Sequence, residues 1–235
     1  MHFATALIPA RLIRRYKRFL ADVTLESGEN TTVLCPNTGA MTGLATPGTK
    51  IWLSLATNPA RKYALTWELA EVAESGLTGV NTQHPNHIVA AALTRHAIPE
   101  LAGYDRIRRE VPYGQRSRID LLLEGPNRPS CFVEIKNVHF FRGGDLAEFP
   151  DCPTDRGRRH LEEMAAMVAQ GHRSVMVYLI QSNTARRFAL AADLDPAYVK
   201  AFTAARQAGV EALALACRVS TTAITVDRPV PVIMP

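Results

Sequence analysis

Residues 118–136, RIDLLLEGPNRPSCFVEIK, decide the fold. Two apolar runs, Ile119–Leu123 and Cys131–Ile135, flank the turn-rich segment GPNRP and predict a β-hairpin with a longish loop. Three charged side chains stand where a buried strand would carry none: Asp120, Glu134 and Lys136. Glu134 and Lys136 are two residues apart, so they project from the same face of their strand.

The register of the hairpin determines how closely these charges converge. With a loop that is symmetric about its middle, Asp120 lies opposite Ile135 and diagonal to Glu134 and Lys136. A small asymmetry of the loop places Asp120 directly across from one of those two. Either register brings two carboxylates and one ammonium group to the same patch.

This patch has the chemistry of a metal-dependent phosphodiesterase. Two carboxylates suit Mg²⁺, or Mn²⁺ in its place, because Mg²⁺ is usually held by one or two carboxylates, water and substrate phosphate. The lysine can orient or deprotonate an attacking water, or stabilise developing charge. An aspartate followed after thirteen residues by Glu-x-Lys resembles the core of the PD-(D/E)xK nucleases. The alternative is a hairpin edge that carries a solvated Glu134–Lys136 pair.

The composition is that of an ordinary globular protein with a mild basic excess. Of the 235 residues, 47% are hydrophobic and 21% are charged, and the net charge is +5. That excess is compatible with a polyanionic partner but does not require one. The four cysteines lack zinc-ligand spacing, and neither a signal peptide nor a membrane-spanning stretch is evident. These features predict a cytoplasmic protein with free thiols and no membrane partner.

The first 85 residues predict an all-β domain. Short strands alternate with Gly/Pro turns, which suggests a small barrel of the OB-fold type that binds nucleic acid. The candidate strands are Phe19–Leu25, Thr31–Cys35, Ile51–Ala56, Tyr63–Val72 and Leu77–Val80.

A basic run in this domain is the main candidate for contact with nucleic acid. It contains Arg14, Arg15, Tyr16, Lys17 and Arg18, with Arg11 just before it. Arginines can clamp phosphates and an aromatic ring can stack on a base. Alternation along a strand would place the side chains at 14, 16 and 18 on one face and those at 15 and 17 on the other. The alternative is a solvated edge whose charges prevent aggregation.

The loop from Cys35 to Gly43, CPNTGAMTG, is a second candidate for contact with phosphate. Asn37 and Thr38 supply short polar side chains next to exposed backbone N–H groups. The alternative is a tight turn between two strands, which the same residue types favour. Arg118, beside the acidic patch, is a further candidate for binding nucleic acid.

Residues 86–235 predict an α/β domain, because helices and strands alternate along the chain. His87–Arg95 predicts a helix capped by Asn86, and Ser174–Ile180 predicts a fully buried strand. Residues 137–153 predict an irregular loop beside the acidic patch.

A second helix, capped by Thr154 or Asp155, is predicted to run to about Gln170. Arg156 and His160 share one face of this helix, one turn apart, and could hold a phosphate near its amino terminus. The alternative for both is an ordinary solvated face.

Seven short motifs, spread over the chain and in order, resemble the bacterial sugar fermentation stimulation protein A (SfsA) family. They are RYKRFLADV (15–23), CPNTGAMTG (35–43), KYALTWEL (62–69), GVNT (79–82), SRIDLLL (117–123), EIKNV (134–138) and FPD…T.RG..HL (149–161). The resemblance implies an OB-like barrel followed by a restriction-endonuclease-like PD-(D/E)xK domain, and it implies DNA binding. It assigns the nuclease-type centre to Asp120, Glu134 and Lys136, and it places Asp151 and Arg156 in a family motif.

One position departs from this pattern. Many domains of this type carry a glutamate in their first helix, and the expected counterpart is Ala91. Glu100 or Glu110 could supply the missing carboxylate instead.

Two functions of different class follow from these observations. The first is a DNA nuclease that uses Mg²⁺ or Mn²⁺ held by Asp120 and Glu134. The second is a non-catalytic DNA-binding regulator on a nuclease-like scaffold, and the resemblance to the SfsA family implies sugar (maltose-type) metabolism genes as its targets. A structural or protein-partner role, with no affinity for DNA at moderate salt, is a third alternative. The sequence leaves open whether the DNA is single-stranded or duplex, and whether the protein is a homodimer.

Overall fold

A computed structural model describes residues 1–58, 60–73, 75–114 and 117–234. Within these ranges, six strands make up the first domain: β1 (Ile8–Tyr16), β2 (Leu20–Leu25), β3 (Asn30–Leu34), β4 (Lys50–Leu55), β5 (Leu65–Val72) and β6 (Gly76–Gly79). They pair in the order β3-β2-β1-β4-β5-β6, and a parallel contact between Leu34 and Thr66 joins β3 to β5. That contact closes a five-stranded barrel, which confirms the predicted OB-like fold.

The barrel closes around side chains from alternate strand positions. Leu12, Val23, Val33, Ile51 and Trp67 are among the buried residues of this core. Since a strand alternates its side chains between two faces, the apolar alternation of these segments accounts for the closed interior.

The basic run departs from the predicted alternation, because β1 ends at Tyr16. Lys17 and Arg18 form the turn into β2 with left-handed φ angles of 49° and 64°. A register shift between Leu12 and Arg14 also interrupts the alternation. The prediction that residues 14–18 share one continuous strand is therefore wrong.

In the second domain, the residues described form three helices, one 3₁₀ turn and ten strands. In chain order these are α1 (Pro85–Thr94), the 3₁₀ turn Pro99–Leu101, β7 (Arg106–Tyr113), β8 (Ser117–Glu124), β9 (Cys131–Val138), β10 (Phe140–Phe141), β11 (Leu146–Phe149), α2 (Asp155–Ala169), β12 (Arg173–Ile180), β13 (Arg187–Leu190), α3 (Pro196–Gln207), β14 (Glu211–Val219), β15 (Ile224–Val230) and β16 (Val232–Ile233). The central sheet has the order β15-β14-β12-β9-β8-β7, with β12 parallel to both β9 and β14. Buried side chains cover both faces of this sheet, as the α/β prediction requires.

Residues 137–153 are more ordered than the sequence predicts. They contain β10 and β11, which join β13 and β16 in a separate four-stranded sheet. Arg142 ties this sheet together through contacts to Glu148 and Asp193. Strands of two to four residues are too short to show a period of two in the sequence.

The β8–β9 hairpin is one residue away from the symmetric register. Leu121 pairs with Val133, and the ladder continues to Leu123 and Cys131. Continued one step outward, this register brings Asp120 level with Glu134. The loop therefore has the asymmetry that places the two carboxylates directly across from each other, on one face. The symmetric register would put Asp120 across from Ile135, on the opposite face from Glu134 and Lys136, so the prediction that either register brings the three charges together is wrong.

The two domains pack against each other along β6. Thr78 bridges Ser182, and the Gly79 N–H donates to the Gln181 carbonyl over 2.9 Å. At the amino terminus, the Phe3 N–H donates to the Thr222 carbonyl, so the residues before β1 also contact the second domain. The domain division at residue 85 stays a prediction. Within the ranges described, no helix is both long and apolar enough to cross a membrane.

We expect Gly79→Ala to destabilise the packing between the domains. A Cβ at this position would stand 2.5 Å from Gln181 Oε1 and 3.0 Å from Gln181 Cβ. Overpacking of this kind typically costs about 1–3 kcal/mol of unfolding free energy, measurable by urea denaturation. Gln181→Ala should restore part of that loss in the double mutant. Purely additive effects of the two substitutions would contradict a steric cause.

Candidate active site

Asp120 lies where the β8–β9 ladder ends. Its Oδ2 accepts a hydrogen bond from the Ile135 N–H over 2.7 Å, so a side chain occupies the place of a ladder carbonyl. Its Oδ1 accepts from Asn86 Nδ2 over 2.7 Å. These two bonds fix the plane of the carboxylate at the edge of a gap between the two strands.

Glu134 is buried on the neighbouring strand and its two oxygens have different surroundings. Oε1 accepts from Lys136 Nζ over 2.8 Å and also contacts His160 Nδ1. Oε2 is shielded from solvent and has no hydrogen-bond partner among the residues described. An unpaired buried carboxylate oxygen is costly, so this atom marks a place for a positively charged or hydrogen-bonding group.

The two carboxylates differ in how readily they ionise. Burial, with Glu134 nearby, raises the pKa of Asp120 to about 6. Burial also opposes the ionisation of Glu134, but Lys136 and His160 outweigh it and lower the pKa of that carboxyl. Two neighbouring acids whose pKa values are shifted in opposite directions are typical of functional sites.

Asn86 and Glu110 complete the cluster. The Asn86 amide nitrogen donates to Glu110 Oε1 over 3.0 Å as well as to Asp120. Glu110 lies opposite Asp120 in the β7–β8 pairing and has a left-handed φ of 52°. A non-glycine residue in that conformation is strained and often occurs at a functional site.

The sequence predicts Asn86 as the amino-terminal cap of α1, whereas the structure places it inside the first turn of that helix. The amino-terminal cap of α1 is His84, so the prediction that Asn86 caps this helix is wrong. Asn86 is the α1 side chain that contacts Asp120, whereas no such contact is made by Ala91 within the residues described. Of the two alternative acids, Glu110 is in the cluster, and Glu100 lies on the 3₁₀ turn, where its carbonyl accepts from Arg173.

The donor set fits a hard divalent cation. Asp120 and Glu134 offer carboxylate oxygens on adjacent strands, and Glu134 Oε2 is free of other partners among the residues described. Among the residues that the structure describes, no group of three or more His, Cys, Asp or Glu side chains is arranged to hold a metal ion. The arrangement therefore suits a cation that keeps water and phosphate ligands, as Mg²⁺ does.

Arg15 and Asn37, two residues predicted to contact nucleic acid, donate hydrogen bonds to backbone carbonyls of the barrel itself. Arg15 Nη2 donates to the carbonyls of Arg18, Asn37 and Gly39 at 2.8–2.9 Å. Asn37 is buried, and its amide donates to the Val80 carbonyl over 3.1 Å. These bonds hold the loop at residues 35–43 in shape, and a role of Arg15 or Asn37 in binding nucleic acid stays a prediction.

The other members of the basic run are more exposed. Arg14 pairs with Asp22 over 2.8 Å, and the Tyr16 hydroxyl donates to the same carboxylate. Arg18 Nε donates to the Thr38 carbonyl over 2.9 Å. Lys17 occupies the tip of the turn between β1 and β2. An exposed pair such as Arg14–Asp22 contributes little to stability, so its arginine remains available to a phosphate.

Three predicted contacts belong to the second domain. Arg118 Nη1 donates to the Glu110 carbonyl over 2.9 Å, next to the acidic cluster. Arg156 is exposed on the first turn of α2, and its Nε approaches His160 Nε2 at 3.4 Å. His160 is only 3% exposed and contacts Glu134, so its ring faces the cluster rather than solvent.

Asp151 joins the barrel to the site region. Its Oδ2 accepts from the Met41 N–H over 3.2 Å and lies 3.4 Å from His139 Nε2. Met41 belongs to the CPNTGAMTG loop, and Asp151 precedes α2 by four residues. The loop of the first domain is thereby fixed beside the helix that carries Arg156 and His160.

Comparison with known proteins gives matches over almost the whole chain. The model of the SfsA N-terminal OB domain matches residues 13–80, and that of the sugar fermentation stimulation protein RE domain matches residues 83–223. The sugar fermentation stimulation protein homolog of Rhodospirillum centenum is 57% identical over 97% of this chain and 97% of its own length. The homolog of Azorhizobium caulinodans is 54% identical over 99% of this chain and 100% of its own length. The solved structure of Pyrococcus furiosus SfsA in complex with Ca²⁺ is 26% identical, with a TM-score of 0.88 over 99% of this chain and 98% of that one.

We expect Asp120→Asn to stabilise the metal-free protein at pH 7.5. A folded-state pKa near 6 lies above the ordinary aspartate pKa of 3.8, so the folded state binds more protons between these limits and loses stability as the pH rises through them. The amide oxygen accepts from the Ile135 N–H, and the NH₂ group takes the place of Oδ1, so Asn86 must rotate its own amide to accept from it. The variant carries no charge at this half-buried position. A gain of about 1–3 kcal/mol at pH 7.5 should vanish near pH 4 in urea denaturation with EDTA.

Asp22→Asn serves as the control, because the hydrogen bond from Arg14 lowers the pKa of Asp22 and the sign reverses. A gain for Asp120→Asn that is independent of pH would contradict the assignment of a buried, reluctantly ionised carboxylate.

Proposed function

The chain belongs to the sugar fermentation stimulation protein family, and from that premise we propose that it binds DNA and hydrolyses its phosphodiester bonds at Asp120, Glu134 and Lys136. One observation carries the proposal. Two carboxylates converge beside an ammonium group where two strands separate, and one carboxylate oxygen is buried without a partner among the residues described. A structural ion pair alone would not leave that oxygen unpaired.

Asp120 and Glu134 would hold the divalent cation. The P. furiosus relative was solved in complex with Ca²⁺, which supports cation binding within this family. When bound, Mg²⁺ or Mn²⁺ supplies Lewis-acid activation of the phosphate and of the attacking water. Asp120 contributes the more basic carboxylate and Glu134 the one that stays ionised, so at neutral pH both are available as ligands.

Lys136 would orient the attacking water and stabilise charge on the phosphate. Its ammonium group is held 2.8 Å from Glu134 Oε1 and its side chain is 13% exposed. A fixed cation of this kind stabilises developing negative charge without reorganisation during the reaction.

Exposed cations lead from the barrel to the acidic cluster. The turn at Lys17 and Arg18 contacts the loop at Thr38, and that loop is attached to Asp151. Arg156 follows on the first turn of α2, beside His160 and the cluster. A polyanion lying along this line could contact the barrel and the site at once, which favours DNA as the partner.

We expect Glu134→Gln and Lys136→Met to abolish cleavage while binding persists. Removal of a cation ligand or of a charge-stabilising group typically costs about 10²-fold or more in rate. The assay uses labelled single-stranded, duplex and branched DNA and RNA with Mg²⁺, Mn²⁺ or EDTA, and Glu26→Gln in an exposed turn is the control. Tight binding with no cleavage in any metal would remove the enzyme assignment and favour the non-catalytic regulator.

Substitutions of the basic run and of Arg156 on α2 should distinguish residues that bind DNA from residues that stabilise the fold. Lys17→Gln and Arg156→Gln should weaken DNA binding, and each should lower the salt dependence of the binding constant by about one phosphate contact. Arg15→Gln should instead lower thermal stability, because it removes the donor for three loop carbonyls. Binding by fluorescence anisotropy at several salt concentrations distinguishes the two classes. Unchanged affinity in both exposed variants would exclude this line as the DNA path.

A further inference from the structure

We propose that His160 is a positioning residue that fixes Glu134 so that Oε2 faces the cation. The inference rests on the proposed function and concerns an imidazole that is buried, and so does not serve as a surface contact for phosphate. It assigns the two ring nitrogens different tasks: Nδ1 donates to Glu134 and Nε2 accepts from Arg156.

The start of α2 determines where His160 points. Thr154 caps the helix, with its Oγ1 accepting from the Gly157 N–H over 3.1 Å, and its own N–H donates to Asp195 over 2.8 Å. One turn later, the neighbouring Leu161 and Met164 are fully buried against the sheet. With the rotation of the helix fixed in this way, the His160 ring is directed at β9 and meets Glu134.

The hydrogen bonds at Glu134 Oε1 identify which nitrogen carries the proton. Nδ1 has two neighbours, the Glu134 Oε1 atom and Lys136 Nζ, and the carboxylate is the nearer of the two, with Lys136 Nζ at 3.4 Å. An ionised carboxylate only accepts, so the shorter contact requires Nδ1 to donate to it. Lys136 Nζ donates to the same oxygen over 2.8 Å. Two donors on Oε1 hold the carboxylate in one rotamer and leave Oε2 as the oxygen without a partner among the residues described.

Arg156 selects the same tautomer from the other side of the ring. Its Nε approaches His160 Nε2 at 3.4 Å, and a guanidinium group has donors only. Nε2 therefore faces a donor, which agrees with Nδ1 as the nitrogen that donates to Glu134. The chain Arg156–His160–Glu134 connects an exposed arginine, one that a phosphate can reach, to the oxygen that would bind the cation.

Two substitutions of His160 test this assignment, because each imitates one nitrogen. The amide nitrogen of asparagine lies close to the position of Nδ1, and that of glutamine close to the position of Nε2. We expect His160→Gln to lose the donor to Glu134 and His160→Asn to keep it. The measurement is Ca²⁺ affinity by isothermal titration calorimetry on the whole protein without DNA, so that activity is not the readout.

His160→Gln should weaken Ca²⁺ binding by about 10-fold or more, the usual effect of removing a hydrogen bond to a ligating group, whereas His160→Asn should stay within about 3-fold of the wild type. His172→Gln is the control, since that ring packs on Phe132. Arg156→Met, at an exposed position, should weaken Ca²⁺ binding by a smaller factor than His160→Gln does. It provides a second test if His160→Gln fails to fold.

The outcomes separate the two proposals. Equal affinity in the wild type and His160→Gln, or equal losses in the Gln and Asn variants, would overturn the positioning role and leave the metal site intact. If His160→Gln does not fold, unchanged affinity in Arg156→Met overturns the positioning role. A wild type that binds neither Ca²⁺ nor Mn²⁺ would overturn the proposed function itself.

Discussion

The hydrogen bond from the Ile135 N–H to Asp120 Oδ2 is the interaction on which the site and its sheet both depend. Strand β9 must leave β8 after Val133 so that it can continue beside β12 through Val138. That separation would leave the Ile135 amide without a ladder partner, and the Asp120 side chain supplies one. The same separation opens the gap in which a second carboxylate and a lysine converge. Burial then disfavours the charge on Asp120, and a bound cation would relieve that cost.

The barrel contributes position as well as charge. Arg15 is used to shape the loop that carries Asn37, and that loop is held to the second domain by Asp151. Part of the basic run therefore builds the junction, and Lys17 and Arg18 remain at its surface turn. The Met41–Asp151 contact thereby holds this loop of the barrel to the segment that leads into α2.

Much of this arrangement could be predicted from the sequence, because it depends on local patterns. The apolar runs around GPNRP give the hairpin, and the spacing of Asp120, Glu134 and Lys136 gives one shared face. Glu110 could be named only as one of two alternative acids, and the contact of Asn86 with Asp120 could not be predicted, since both depend on how α1 and β7 pack against β8. His160 could be placed on a helix, but only tertiary packing shows that its face is buried against Glu134. The short strands β10 and β11 leave no periodic signal.

The central claim is that Asp120 and Glu134 form a cation site, and the most direct measurement is a crystal structure with Mn²⁺ located by anomalous scattering. The account predicts one strong peak at about 2.2 Å from a carboxylate oxygen of Asp120 and from Glu134 Oε2, with waters completing the shell. Because Glu134 Oε1 has two donors, we expect no metal contact at that atom. An ion bound elsewhere, with only water between Asp120 and Glu134 Oε2, would contradict the account.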